Sequence, residues 1–315
     1  MIGRLTQAWT SFWFPAVPLE RVAVFRIAVT VFALIDVAFV STYMRGYTTV
    51  DPMFFDPVYL LRIGEHPVPS PAAYGVMTGV LVASLALAAI GYRARLALAV
   101  AAPLYLYHWA LFNSWGKVNH GKIPVVFALF VLAVAPSAAR LSVEAWRRYR
   151  GGTTPLADAN TADADLDRLA GWALRVVGVV IVSAYAFSVL AKLTNTGLSW
   201  VVQPILLPAM LTGDTWLHGL LADNPELLTL MQGVTLVTEA AAVLIFLGGR
   251  VRNALLAMLG AFHLGSYVLL ETEFFGFLVC YLVFFPLERI PAWFRDRYGT
   301  RHVPAGATAT TASRR

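Results

Sequence analysis

Charge is what this 315-residue chain has least of: 13% of its residues are Asp, Glu, Lys or Arg, against 58% that are hydrophobic. A soluble domain carries about 25% charged residues, so a water-soluble globular enzyme is excluded as the starting reading. Cysteine occurs once, at Cys280, which rules out an intramolecular disulfide and any CxxC redox or zinc motif. There is no P-loop, no GxGxxG and no HExxH, and no metal site is predicted. The first twenty residues, MIGRLTQAWTSFWFPAVPLE, lack a continuous apolar stretch and so do not read as a cleaved signal peptide. With Trp9, Phe12, Trp13 and Phe14 close together, residues 1–20 read instead as an interfacial amphipathic segment.

Apolar sequence, by contrast, is abundant, and mean hydropathy is +0.67. A helix needs about 20 apolar residues to cross a bilayer, and runs of that order lie near 22–42, 72–91, 96–113, 120–137, 170–194, 227–248, 252–270 and 274–289. The expected fold is all-α, a polytopic integral membrane bundle of about eight transmembrane helices whose first partner is the lipid bilayer. Segments on the cytoplasmic side carry an excess of Lys and Arg. With the N-terminus inside, the inner segments collect Arg4, Arg21, Arg93, Arg95, Arg140, Arg147, Arg148, Arg150, Arg168, Arg250, Arg252 and the basic C-terminal residues, while the outer ones hold only Arg45, Arg62, Lys117 and Lys122. This predicts a multi-pass protein of the plasma membrane with both termini cytoplasmic. The net charge of +6 is then a topology signal, and nucleic acid is not an expected partner. A transmembrane domain over 21–291 is expected, with a small, polar and acidic flexible linker at 151–167 and a basic, partly disordered tail at 292–315. Periodicity assigns Phe127 and Leu259 to packing.

The unusual polar residues gather toward the outer half of this arrangement. Tyr185, Ser188 and Lys192 share one helix face by i, i+3, i+7 spacing. Gln232, Thr235 and Glu239 repeat that spacing, and His263, Ser266, Tyr267 and Glu271 nearly do. Three polar stripes on three helices predict a shared interior cavity. Asn119 and His120 open the fourth run beside Lys117 and Lys122, and His108 lies within the third. The segment 194–226, with Trp200, Pro204, Pro208, Trp216 and His218 and no Lys or Arg, is expected to fold over the cavity as a lid. A charge in hydrocarbon costs at least about 2.5–3.5 kcal/mol, so Lys192 and His120 are the leading candidates for chemistry. Plainer readings stand beside these: Lys192 snorkelling to headgroups, His120 as a helix cap, Glu239 and His263 as interhelical packing bonds. Arg26 and Asp36 are about 15 Å apart along one helix; they cannot pair with each other, and each is expected to serve structure through a partner on another helix.

The ordered pieces VFRIAVTVFALID, GYRAR at 91–95, NHGKIPVVFALF at 119–130, SVLAKL at 188–193 and FH at 262–263 resemble the HTTM domain family, the membrane module of vitamin K-dependent gamma-glutamyl carboxylase. The resemblance runs from about residue 20 to 291. It implies that Lys192 deprotonates a reduced vitamin K or menaquinol and that His120 supports the reaction as acid/base or anion stabiliser, with Glu239 and His263 orienting them. In the carboxylase, the oxygenated quinol then removes a proton from a substrate glutamate, to which carbon dioxide adds. The carboxylase's lysine pair is here Ala191-Lys192. Low dielectric disfavours the charged form of an amine, which suits a lysine to act as base. The function expected from the resemblance is a quinol-dependent enzyme acting on a secreted peptide or small substrate at the outer face. The alternative is a non-catalytic membrane partner in maturation, export or immunity of a secreted peptide, alone or with an accessory protein.

Overall fold

The computed structural model describes residues 2–116, 118–150 and 159–298, and the described residues form helices and loops with no strand. In chain order the helices are α1 (Ile2–Trp13), α2 (Leu19–Tyr47), α3 (Tyr59–Ile63), α4 (Pro71–Ile90), α5 (Ala94–Phe112), α6 (Ile123–Val134), α7 (Val143–Arg150), α8 (Ala159–Thr196), α9 (Ser199–Val202), α10 (Leu207–Thr212), α11 (Trp216–Asp223), α12 (Pro225–Ala240), α13 (Gly249–Leu270), α14 (Phe275–Cys280) and α15 (Arg289–Tyr298). Each of the eight apolar runs contains a helix. Six are long and apolar enough to cross a membrane: α2, α4, α5, the 164–196 part of α8, α12 with its tighter continuation to Leu247, and α13.

The other two, Ile123–Val134 and Phe275–Phe284, are shorter. At 1.5 Å per residue they reach about 18 and 15 Å, well short of a hydrocarbon core of about 30 Å. What shortens them is non-helical backbone at 113–116, 118–122 and 271–274, where the two loops meet. Asn119 Nδ2 donates to the Glu273 carbonyl at 3.1 Å, and Lys122 Nζ lies 2.9 Å from Glu273 Oε1. Two glycines permit the approach. A Cβ on Gly276 would strike the Gly121 carbonyl and come within 3.2 Å of Lys122 Cα, and one on Gly121 would strike the Glu273 carbonyl. Gly276→Ala should therefore cost about 1–3 kcal/mol, as overpacking does, read as a lower midpoint of thermal unfolding in nanodiscs.

Contacts sort the loops to two ends of the bundle. At one end Arg21 Nη2 meets Glu288 Oε1 at 2.6 Å, Val17 N donates to the Asp167 carbonyl at 3.2 Å, and Phe12 packs edge-on to Phe246. The Arg21 guanidinium holds the Glu288 carboxyl below its usual range. Arg26 is fully buried near this end and caps the turn after α6 through the carbonyls of Ser137 (2.6 Å) and Leu141 (2.7 Å). At the other end lie the 113–122 and 271–274 loops and α9 to α11. Between them Val22, Phe25, Val29, Ala33 and Val37 of α2 pack into one continuous core with α4, α5, α6 and α8.

Two sequence expectations change here. Helix α8 begins at Ala159, so 159–167 is helical rather than linker; Ala159, Ala162 and Ala164 supply the strongest helix propensity of any residue type, which outweighs the polar composition. Residues 151–158, the rest of that linker, lie outside the described residues, as do 299–315 of the expected tail, whereas 292–298 belong to α15. Leu259 is buried as expected, but Phe127 is 48% exposed on the outer surface of α6, because a helix apolar all round gives periodicity nothing to distinguish.

Candidate functional site

Helix α8 presents Tyr185, Ser188 and Lys192 on one face, and α12 and α13 bring Glu239 and His263 against it. With Asn119, His120, Trp200, Phe274 and Phe277 these residues line one cavity of about 280 Å³. At its centre Lys192 Nζ is 2.5 Å from Glu239 Oε2 and donates to Ser188 Oγ at 2.7 Å, while Ser188 Oγ donates to Glu239 Oε1 at 3.3 Å. The ammonium also lies 5.3 Å from the centre of the Trp200 ring. Side-chain exposure is 15% for Lys192 and 2% for Glu239, so the lysine points inward and does not snorkel. Glu239 is the lysine's direct ion-pair partner.

Beside this pair Tyr185 Oη contacts His263 Nε2 at 2.6 Å and also bonds Tyr281 Oη. His263 Nδ1 and Trp200 Nε1 are buried and have no hydrogen-bond partner among the described residues. An orphaned buried polar atom costs roughly 1–3 kcal/mol, and both of these belong to residues that line the cavity.

Asn119 uses its side chain to hold its own loop, donating to the Glu273 carbonyl and accepting from Gly121 N at 2.7 Å. That leaves His120 projecting at the cavity, its ring 5.3 Å from that of Phe274. Although the residue stays solvent-exposed, partial desolvation and then the nearby Lys192 charge lower its pKa from the usual value of 6.5. The folded chain thus binds fewer protons at this site than the unfolded chain, and His120 subtracts stability as pH falls below about 6.5. Lys192→Met should move its titration midpoint upward, as followed by the imidazole chemical shifts in NMR.

No family model matches the chain, and no curated protein or solved structure is significantly similar to it. Chemistry must therefore be argued from the residues. Asn119, His120, Tyr185, Ser188, Lys192, Glu239, His263 and Ser266 come together in the cavity as expected, whereas Gln232 and Thr235 line the neighbouring apolar chamber and Glu271 lies outside both. Tyr267 lies outside as well: it is 49% exposed and packs on Phe275. Four residues after His263 it is rotated about 40° one way, while Ser266 and Phe262 turn the other way toward the cavity. Among the described residues no group of three or more His, Cys, Asp and Glu is placed to hold a metal ion.

Sequence reasoning missed a second buried ionic cluster directly below the His120 loop. Lys122 Nζ sits 2.7 Å from Asp36 Oδ1 and 2.9 Å from Glu273 Oε1, and Tyr105 Oη donates to Asp36 Oδ2 at 2.7 Å. Asp36 thus has the partners on other helices that its position required, and Arg26 has its own in the turn after α6. The available signal was scarcity: Lys117, Lys122 and Lys192 are the only lysines among 24 basic residues.

The segment expected to fold over the cavity forms α9 to α11, and its Trp200 and Leu206 are part of the cavity wall. It is fastened by Gln232, which donates to the carbonyls of Trp200 (2.8 Å) and Gln203 (2.9 Å) and accepts from Leu206 N. Beyond that wall lies an almost wholly apolar chamber of about 420 Å³ between α12 and α13, which shares Trp200, Leu206, Phe262, Ser266 and Leu270 with the polar cavity.

Proposed function

We propose that this chain is a membrane enzyme of HTTM type, with the arginine-rich end of the bundle in the cytoplasm, the cavity toward the outer face of the plasma membrane, and a lipid quinol as reactant. The observation that carries this reading is the buried Lys192–Glu239 pair, next to two unpartnered polar atoms, in a cavity that adjoins an apolar chamber. That arrangement fits a molecule with a hydroxylated ring and a hydrocarbon tail. In the HTTM reading α6 and α14 complete eight membrane-inserted helices.

A quinol, when bound, supplies reducing power toward oxygen and, through it, a strong base. The protein's own work is proton handling. As an ammonium, Lys192 has no lone pair, so its proton first passes to Glu239 along the 2.5 Å contact, leaving a neutral amine. Lys192 Nζ then accepts a proton from a hydroxyl at the cavity centre, and Ser188 keeps both groups aligned. His120, held neutral, accepts or donates a hydrogen bond at the cavity mouth. The apolar wall of Phe262, Phe274 and Phe277 excludes water that would quench a reactive anion.

The test is mass spectrometry of quinone products after incubating the protein in nanodiscs with reduced vitamin K or menaquinol, oxygen and bicarbonate. Epoxide formed by wild type and not by Lys192→Ala is expected. A folded wild type that converts neither quinol would overturn the enzymatic reading. It would favour the second one, a non-catalytic membrane partner in maturation, export or immunity of a secreted peptide. That second reading draws on the fact that both charges of the Lys192–Glu239 pair are already satisfied within the protein.

A further inference from the structure

At the opposite, arginine-rich end of the bundle a second cavity of about 170 Å³ lies between the chain following α1, the α8 helix and the start of α13. Among the described residues three guanidinium groups line it, Arg21, Arg175 and Arg252, and no carboxylate does. Arg21 is neutralised by a two-pronged bond to Glu288, at 2.7 Å from Nε and 2.6 Å from Nη2. The other two have no acidic partner among the described residues.

Their aromatic surroundings sharpen the point. The Arg175 guanidinium lies 4.6 Å from the centre of the Phe12 ring and 5.0 Å from that of Phe246, and Arg252 lies 5.7 Å from Phe285. Ring faces stabilise a guanidinium's charge but offer no acceptor to the N–H groups at its edge. Arg175 makes no hydrogen bond or ion pair to a described residue, and Arg252 makes one, to the neighbouring Asn253. Two partly buried cations with open donor edges therefore face one cavity.

The backbone adds to this. The turn at Gly248 and Gly249 adopts φ of +76° and +58°, which glycine tolerates, and it starts the 22-residue helix α13 with no side-chain cap. Its first N–H groups carry the positive end of the helix dipole. A Cβ at Gly171 would strike the Pro15 carbonyl, so α8 and the segment after α1 are in direct backbone contact along the cavity's edge. Helix α1 itself exposes Leu5 and Trp9, apolar side chains that suit the membrane interface.

We propose that this cavity binds one phosphate group, recognised through the edges of Arg175 and Arg252, and that its source is the headgroup of an anionic phospholipid in the leaflet at that end. A forked guanidinium matches phosphate oxygens in pairs, and basic pockets between membrane helices bind anionic headgroups. The site is independent of the Lys192 cavity and of any reaction there.

The experiment is native mass spectrometry of the full chain released from micelles doped with equal phosphatidylglycerol and phosphatidylcholine, repeated with added inorganic phosphate. Wild type should retain one phosphatidylglycerol, and Arg175→Gln with Arg252→Gln should weaken retention roughly tenfold or more. Arg175→Lys, which keeps the charge and loses the fork, should fall between them and covers the case in which the double variant fails to fold. Arg93→Gln, remote from the cavity, should leave retention unchanged. Displacement of the lipid by millimolar inorganic phosphate would retain the phosphate site but overturn the lipid source. Equal retention of both lipids by wild type, or equal retention of phosphatidylglycerol by wild type and the arginine variants, would overturn the site itself.

Discussion

Lys192→Met should abolish quinol conversion, with a loss of about 10²–10⁴-fold, the range associated with a positioned acid/base group. The same change strands Glu239, whose side chain is only 2% exposed, without its cation. Removing one partner of a buried pair costs about 3–5 kcal/mol, whereas replacing both is often close to neutral. Lys192→Met should therefore lower both activity and thermal stability, and adding Glu239→Gln should restore much of the stability without any activity. Turnover and unfolding midpoints measured on wild type, both single variants and the double variant separate the two effects. A double variant that regained turnover with its stability would show that the pair matters to packing and not to chemistry.

The largest effect on folding is expected away from the reacting groups, at Lys122. Its ammonium serves two carboxylates, Asp36 at 2.7 Å and Glu273 at 2.9 Å, and its side chain is 7% exposed. Lys122→Met leaves Asp36, 7% exposed, and Glu273, 28% exposed, without their shared cation, and a loss of about 3–5 kcal/mol is expected, most of it from buried Asp36. Tyr105 continues to donate to Asp36 but brings no charge. Because Glu273 also anchors Asn119 through its carbonyl, the His120 loop should loosen with it. Pulse proteolysis in nanodiscs should show cleavage within 113–122 in this variant, and Asp36→Asn added to Lys122→Met should recover part of the stability by removing one of the two unpaired charges.

Much of the candidate site was legible in the sequence because its elements are local. The spacing of Tyr185, Ser188 and Lys192 specifies a shared helix face whatever surrounds it, and the structure puts all three on the cavity wall. The same logic misled at Tyr267, since a stripe several residues wide does not say where the cavity's edge falls across it. It was equally silent on what holds the 194–226 segment in place, where Gln232 read as part of a polar stripe and proved to be the fastening of Trp200, Gln203 and Leu206.

The sequence by itself determined that the chain belongs in a bilayer, that it is helical, and which residues are too polar to face lipid, because transfer cost and helical period act on each segment separately. Tertiary structure alone decided which acid meets which base. Lys192 pairs with Glu239 47 positions away, and Lys122 reaches Asp36 and Glu273 on two different segments. The Lys122–Glu273 contact depends on α6 and α14 stopping short and on Gly121 and Gly276 letting their loops touch. A partner is chosen by where separate backbones come within a few ångströms, and no periodicity within one segment carries that information.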